Sequence, residues 1–342
     1  MSNNFDVIII GAGPGGLNCA KTLEKSNLRV LLIEKNKVIG PKVCAGGITT
    51  KDLAYLHIPE DIIDYSYNKF IVETPKIKTH FSYPKIITCT IDRPKFGAWQ
   101  ASQLQKTKIT IGQRVVKISP KSIELENGQQ YFYKFLVGAD GSNSIVRRYL
   151  KIKTSEMITG IQYIIPKKRY DSDELVLRFS NREFSFSYGW IFPHKDFVSI
   201  GTAGVPGKFD ILKLKRNLEH WIQNLGISLE DAKFESHPLN VDYQGHDFGN
   251  IFLIGDAAGL ISPFTGEGIY SAMVSGEDIA QKIINPDHKT EKIAKLVTAL
   301  GYHRKVLRTI EKAGVFRQVA FNKIVKKFRQ PEFVELAVEK FL

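Results

Sequence analysis

Cysteine is scarce in this chain: Cys19, Cys44 and Cys89 are the only three in 342 residues, and no C-x-x-C pair occurs. That excludes a disulfide scaffold and a four-cysteine iron–sulfur cluster, and it fits a reducing, cytoplasmic setting. Long apolar runs are also missing. No stretch approaches the roughly 20 residues that span a bilayer, and the first apolar segment reads as a strand, not a secretory leader. No repeat, low-complexity tract or long linker is present, and no residue cluster has metal-ligand spacing. Acidic residues are the other deficit: 35 Asp and Glu against 48 Lys and Arg leave a net charge of +13. The imbalance implies an anionic partner, such as membrane lipid, a phosphorylated substrate or nucleic acid. No nucleic-acid module is recognisable, so nucleic acid ranks last. What remains is a globular composition, 43% hydrophobic and 24% charged, enough for a core in about two domains.

What is present is concentrated in residues 5–35, FDVIIIGAGPGGLNCAKTLEKSNLRVLLIEK. The β-branched run at 7–10 predicts a strand buried on both faces. Gly11, Gly13 and Gly16 follow in a G-x-G-x-x-G turn, and Leu17, Ala20 and Leu23 give the next helix an apolar face. A second strand at 30–33 ends at Glu34. Each residue type answers a requirement. Gly11 permits the tight turn, Gly13 lets backbone approach a pyrophosphate, and Gly16 lets helix pack on strand. The helix start offers N–H groups and positive dipole to phosphates, and Glu34 can accept from ribose hydroxyls. The segment therefore predicts dinucleotide binding.

Downstream, a loop over 36–49 contains GPKVCAGGI, and Thr50 is expected to cap a short helix over 51–56. Alternation at 70–73, 78–83 and 86–91 predicts strands of a second region. Asp92, with Pro94 behind it, opens a helix that runs through 104. Short strands follow at 108–111, 115–119 and 122–125, and Asn127-Gly128 turns the chain into a strand over 131–137. The β signal returns from 157 to about 204, notably at 183–192 and 197–201. An amphipathic helix spans 209–225, a buried strand 251–254, and a long helix follows. The tail from 291 is helical and basic.

Further segments carry chemistry. Leu136 to Ser142, LVGADGS, is a strand entering a tight turn. It sets Asp140 and Gly141 beside the Gly11 loop, where open α/β sheets bind ligands; the plain alternative is an Asp-Gly turn. In IGDAAG, Asp256 can accept from ribityl or ribose hydroxyls. Pro263 and the T-G-E-G of 265–268 begin a helix whose free N–H groups face the same crevice. A flavin needs such a feature, because reduction leaves negative charge on its N1–C2 edge. Gly266 and Gly268 leave room for a flat ring.

Together these segments resemble the FAD-binding fingerprint of the para-hydroxybenzoate-hydroxylase-like flavoproteins, over residues 5 to about 284. Aromatic hydroxylases of that superfamily carry G-D-A-A-H and an Asn after G-x-G, whereas this chain has GDAAG and TGEGIYSA. With PKVCAGGI and the YGWIFP of residues 188–193, it resembles the geranylgeranyl reductase family. That family has a Cys-Gly-rich loop and a Y-x-W-x-F-P motif, and saturates polyprenyl chains on lipids or chlorophyll precursors. The resemblance implies FAD as cofactor, with contacts from Gly16, Glu34, Cys44, Ala45, Gly47, Arg93, Val115, Asp256, Gly268 and Ile269. Arg93 lies in DRPKFGAW, similar to the family's D/E-R-x-x-F-D, with Gly97 for the usual Asp. Ala45 replaces the usual Gly after the cysteine. The implied architecture is α/β: a Rossmann-like FAD-binding domain (1–57, 92–155 and 249–288) interleaved with a β-rich substrate domain (58–91 and 156–248), plus a C-terminal basic helical region (289–342).

The activity implied is reduction of isoprenoid double bonds, with hydride from reduced flavin to one carbon and a proton to the other. No second complete G-x-G-x-x-G occurs, so transiently bound NADPH and reduced ferredoxin are both open as electron donor. Two alternatives stand: a flavin monooxygenase or halogenase, since YGWIFP loosely resembles W-x-W-x-I-P, and a non-catalytic or quinone-linked membrane flavoprotein. Cys44 is the catalytic candidate, a thiol over the flavin steering the ring or the proton; the plain alternative is a small loop residue. Cys19 is expected in the core and Cys89 in a structural strand. Strand alternation puts Phe184, Phe186, Tyr188, Trp190 and Phe192 on one aromatic wall, with Tyr188, Trp190 and Phe192 as substrate contacts. His194 and Lys195 read as a solvated turn. In the tail, Val306, Leu307, Ile310, Phe316, Val319, Ile324 and Phe328 recur at helical spacing among many cations. That pattern serves either packing on the flavin domain or docking on the cytoplasmic face of an anionic membrane.

Overall fold

Val7 to Ile10 are all buried, and their side chains divide by parity: Ile8 and Ile10 enter one core, Val7 and Ile9 another. A strand with core on both faces belongs in the middle of a parallel sheet covered by helices. That is its place in the computed structural model, which describes residues 3–205 and 210–341, the Phe341 side chain excepted. Strand Asn4–Ile10 lies between Val30–Ile33 and Gln130–Gly138, both parallel to it. Lys108–Thr110 extends the sheet beyond Val30–Ile33, and Ile251–Leu253 pairs in parallel with the end of Gln130–Gly138. The antiparallel strands Ser122–Leu125 and Val115–Ser119 complete it, the first joined through the expected Asn-Gly turn. Helices Pro14–Leu23 and Ile269–Ile284 pack together on one face.

A second seven-stranded sheet runs in the order 233–240, 157–166, 197–204, 189–193, 176–178, 69–74, 77–82. Its two faces differ, as period two requires. Ile161, Ile191 and Ile200 point to helix Ile211–Asn224, whose Leu214, Leu218, Trp221 and Ile222 are buried against them. Each such side chain contributes about 2 kcal/mol of burial. The expected start of this helix at Phe209 lies outside the described residues. Trp190, Phe192 and Leu177 point the other way, into a cavity. A small third sheet joins Gly47–Thr49, Thr88–Ile91 and Ile63–Tyr67. Helices Glu291–Lys312, Arg317–Lys327 and Pro331–Phe341 close the chain.

Three local expectations change. The cap of helix Thr50–Leu56 is Thr49, not Thr50: Thr49 and Asp52 form a capping box, a T-x-x-D pattern one residue earlier. Residues 183–188 are not strand. Ser180 caps a short helix, Asn181–Phe184, and Ser185 takes a positive φ before the strand Gly189–Pro193 begins. Phe184 therefore leaves the aromatic wall and packs on Trp221 instead. His194 is not solvated but only 1% exposed, whereas Lys195 is exposed as expected.

Candidate active site

The three parallel strands Asn4–Ile10, Gln130–Gly138 and Ile251–Leu253 end at one sheet edge, so Gly11, Asp140 and Asp256 emerge side by side. The contact is close: a Cβ at Gly11, whose φ is +105°, would sit 2.3 Å from Ala139 O, and one at Gly16 would sit 2.0 Å from Gly11 O. Gly13 differs. A Cβ there would meet nothing within 4 Å, so its backbone faces open space. No side chain caps helix Pro14–Leu23, and its first turn has no acid. Helix Ile269–Ile284, starting from Gly268, is likewise uncapped. Two helix starts thus aim unpaired N–H groups at one crevice.

The residues fit FAD. Glu34 Oε2 accepts from Ala12 N–H and Oε1 from Asn36 N–H, both at 2.9 Å; each carboxylate oxygen keeps a lone pair for a ribose hydroxyl. Buried Arg93 lines the cavity with Nε and Nη1 unpartnered. Asp256 meets Lys42 Nζ at 2.6 Å. Burial raises its carboxyl, but the Lys42 charge and hydrogen bond outweigh that and hold it below the usual range. Asp140 turns its carboxylate to the start of the following helix, Ile145–Tyr149, accepting from Ile145 N–H at 2.6 Å. Val115 buries its side chain in the sheet core, leaving only its backbone for a ligand. Gly97 has a packing reason: a Cβ there would fall 2.3 Å from Gly40 Cα, in the loop that leads to Cys44.

That loop is fixed from several sides. Cys44 is half-buried and lines the cavity; Gly46 N–H lies 3.4 Å from its Sγ. His194 Nε2 is 2.9 Å from Ala45 O, and Nδ1 is 2.7 Å from Asp64 Oδ2. Gln162 Nε2 donates to Cys44 O at 3.3 Å, while its Oε1 accepts from Ser199 Oγ, which in turn accepts from Trp190 Nε1 at 3.1 Å. The aromatic wall and the cysteine loop are therefore one hydrogen-bonded unit. A Cβ on Gly47 would strike the Phe192 ring at 2.5 Å. Cys19 and Cys89 are buried, the first in the core and the second in a strand beside Ser66.

The cavity, about 820 Å³, runs from Pro14, Arg93, Asp256, Gly268 and Ile269 past Ala45, Gly47, Tyr188, Trp190 and Phe192. It ends under Val306, Leu307, Ile310, Ile324 and Phe328 of the C-terminal helices. Most of the tail's apolar residues thus roof this space, while Phe316 and Val319 stay exposed. Sequence reasoning missed Lys42, Thr49, Asp52, Gln162, His194 and Glu267. Only the Thr49–Asp52 box had a local signal; the others gain meaning from partners far along the chain.

Fold and crevice together define a flavoprotein oxidoreductase. Residues 5–173 match the family model described as pyridine nucleotide-disulphide oxidoreductase. The chain is 30% identical to the digeranylgeranylglycerophospholipid reductase of Methanosarcina acetivorans, over 86% of this chain and 80% of that protein. It is 26% identical to the geranylgeranyl diphosphate reductase of Rhodobacter capsulatus, over 81% and 74%. Among solved structures, a geranylgeranyl bacteriochlorophyll reductase-like protein from Thermoplasma acidophilum superposes with a TM-score of 0.81 at 22% identity, over 99% and 96%. The chain belongs to the geranylgeranyl reductase family of FAD-dependent oxidoreductases.

Proposed function

We propose that this protein saturates carbon–carbon double bonds in an isoprenoid chain carried on a lipid. One observation carries the reading: a single cavity joins the dinucleotide crevice to an apolar compartment roofed by the chain's own C-terminal helices. A long apolar chain fits such a space, and the relatives' names point to the same substrate class. When bound and reduced, by NADPH or a reduced ferredoxin, FAD supplies hydride to one alkene carbon. The protein's residues bind and enclose. The start of helix Pro14–Leu23, with Gly11, Gly13 and Gly16, takes the pyrophosphate; Glu34 takes ribose hydroxyls; Asp256 takes the ribityl chain. Arg93, Gly268 and Ile269 bound the ring, and Ala45, Gly47, Asp140 and Val115 complete the cradle. An isolated alkene is a poor electrophile, so orientation and exclusion of water matter most. Trp190 and Phe192 supply both, with Tyr188 behind them. Cys44, in a loop held by His194 and Gln162, steers the position of the ring.

Membrane contact through the tail is part of this reading. Val315 is 85% and Phe316 72% exposed at the tip between two helices, flanked in sequence by the exposed cations Lys312 and Lys323. An apolar tip in a basic collar suits an anionic bilayer surface. Among the described residues, no helix is long and apolar enough to cross a membrane. The test is anaerobic incubation of chemically reduced protein with a geranylgeranyl-bearing glycerophospholipid, read by mass spectrometry. The expected result is a gain of two hydrogens per bond; turnover only with O2, adding oxygen, overturns the reading.

A further inference from the structure

Saturating an alkene needs a proton as well as a hydride. Glu267 lines the cavity immediately before Gly268. Its loop is pinned to the aromatic wall, because the Tyr188 hydroxyl donates to Thr265 O at 2.6 Å. Beside it stands Asp52, which also lines the cavity, fully buried and with Oδ1 lacking a hydrogen-bond partner among the described residues. Between the two carboxyls is Thr49 Oγ1, 3.0 Å from Asp52 Oδ2 and 3.2 Å from Glu267 Oε1.

A hydroxyl has one proton to donate, and ionised carboxylates only accept. Both contacts are hydrogen bonds only if one carboxyl is protonated. The surroundings decide which one. Asp52 Oδ2 also accepts Thr49 N–H at 2.9 Å, and the Arg93 charge acts on it. Among the described residues Glu267 has no second donor, and it faces the charge of Asp52. Burial first, and Asp52 second, push the Glu267 carboxyl up to about 7, against a smaller pull from Lys51. Burial alone raises Asp52, to about 6. The neighbouring hydroxyls of Tyr188 and Tyr270 are both raised by burial and stay neutral. The order is therefore Glu267 O–H to Thr49, and Thr49 O–H to Asp52.

We propose that Glu267 is the acid that protonates the second alkene carbon, with Thr49 and Asp52 as its reprotonation route. The assignment rests on the reductase reading given above. Hydride from reduced flavin forms the first C–H bond. The alkene π pair then takes the Glu267 proton, forming the second C–H bond and leaving a carboxylate. The carboxylate regains a proton from water by way of Asp52 and then Thr49, and the two electrons are those that bound, reduced FAD would supply and NADPH or ferredoxin would replace.

Two measurements test this. In the FAD-free protein, infrared titration should show a protonated-carboxyl band lost near pH 7, absent in Glu267→Gln and retained in Glu267→Asp. In pre-reduced, FAD-loaded protein, Glu267→Gln should lower kcat about 100-fold or more, the scale of general-acid catalysis, with KM within about threefold. Wild-type kcat should fall above pH 7, and the residual rate of the variant should be flat. Glu267→Asp should recover part of the rate, which reports that the variants fold. A Glu267→Gln enzyme with wild-type rate and pH profile, or a band that persists in it, overturns the proposal. A wild-type protein that takes up FAD and shows the band but reduces no isoprenoid lipid overturns the reductase reading, and the donor role with it.

Discussion

His194 and Asp64 meet at 2.7 Å through Nδ1 and Oδ2, 130 residues apart in sequence, with His194 buried and Asp64 half-buried. The other ring nitrogen reaches Ala45 O, so the strand bearing the aromatic wall also fastens the cysteine loop. Leaving the buried His194 ring nitrogen without this partner costs about 1–3 kcal/mol. Asp64→Asn and His194→Ala should lose stability on that scale in urea unfolding. Each should also speed alkylation of Cys44 in the folded protein, while buried Cys19 and Cys89 stay protected. Unchanged alkylation would show that the loop holds itself.

Gly13 and Gly16 separate ligand binding from folding. A methyl at Gly13 meets no protein atom within 4 Å, so Gly13→Ala should lose at most about 1 kcal/mol, a cap-level effect. It should nevertheless weaken FAD binding tenfold or more, because the methyl stands where a pyrophosphate approaches. Gly16→Ala drives a carbon to 2.0 Å from Gly11 O and should lose about 1–3 kcal/mol or more through overpacking. Fluorescence titration of FAD with parallel melting curves distinguishes the two. Wild-type affinity in Gly13→Ala would remove the phosphate assignment.

Ile310 and Val306 form part of the cavity roof. Ile310→Trp should shorten the usable space and lower kcat/KM for a full-length chain about tenfold or more, while a shorter isoprenoid is still reduced. Competition between chains of two lengths, read by mass spectrometry, gives the ratio directly. Equal losses for both chains would mean that the substrate does not reach the roof.

The share of FAD-free stability contributed by Asp52 and Glu267 should fall as pH rises from about 4 to 7. The folded chain keeps protons on Asp52, raised from 3.8 to about 6, and on Glu267, raised from 4.5 to about 7. The unfolded chain has already released them, so folding binds protons in that window and loses ground with rising pH. The Glu267 share is on the order of 1–3 kcal/mol. It is fully present below pH 4.5 and gone above 7. The melting temperature of the wild type relative to Glu267→Gln should fall across that interval; the same slope in both proteins would contradict the assignment.

Much of the flavin half was legible, because its signals are local. Gly11 to Gly16, Glu34 and the GDAAG turn declare strand, turn and helix within a few residues. The substrate half was harder. The alternation of 183–188 imitates a strand, but the Ser180 cap and the positive φ of Ser185 override it. His194 looked like a turn residue because its partners, Asp64 and Ala45, belong to other segments. Glu267 stood in a recognisable motif, yet its character comes from Thr49 and Asp52, more than 200 residues earlier. A sequence window reports periodicity and caps; it does not report what a carboxyl faces.

The roof over the cavity comes from the last fifty or so residues, while the dinucleotide crevice is set by segments that precede them. The cavity's far cover and the dinucleotide crevice are thereby contributed by separable stretches of the chain. A change confined to the tail would reshape the far end of the cavity and leave the crevice residues in place.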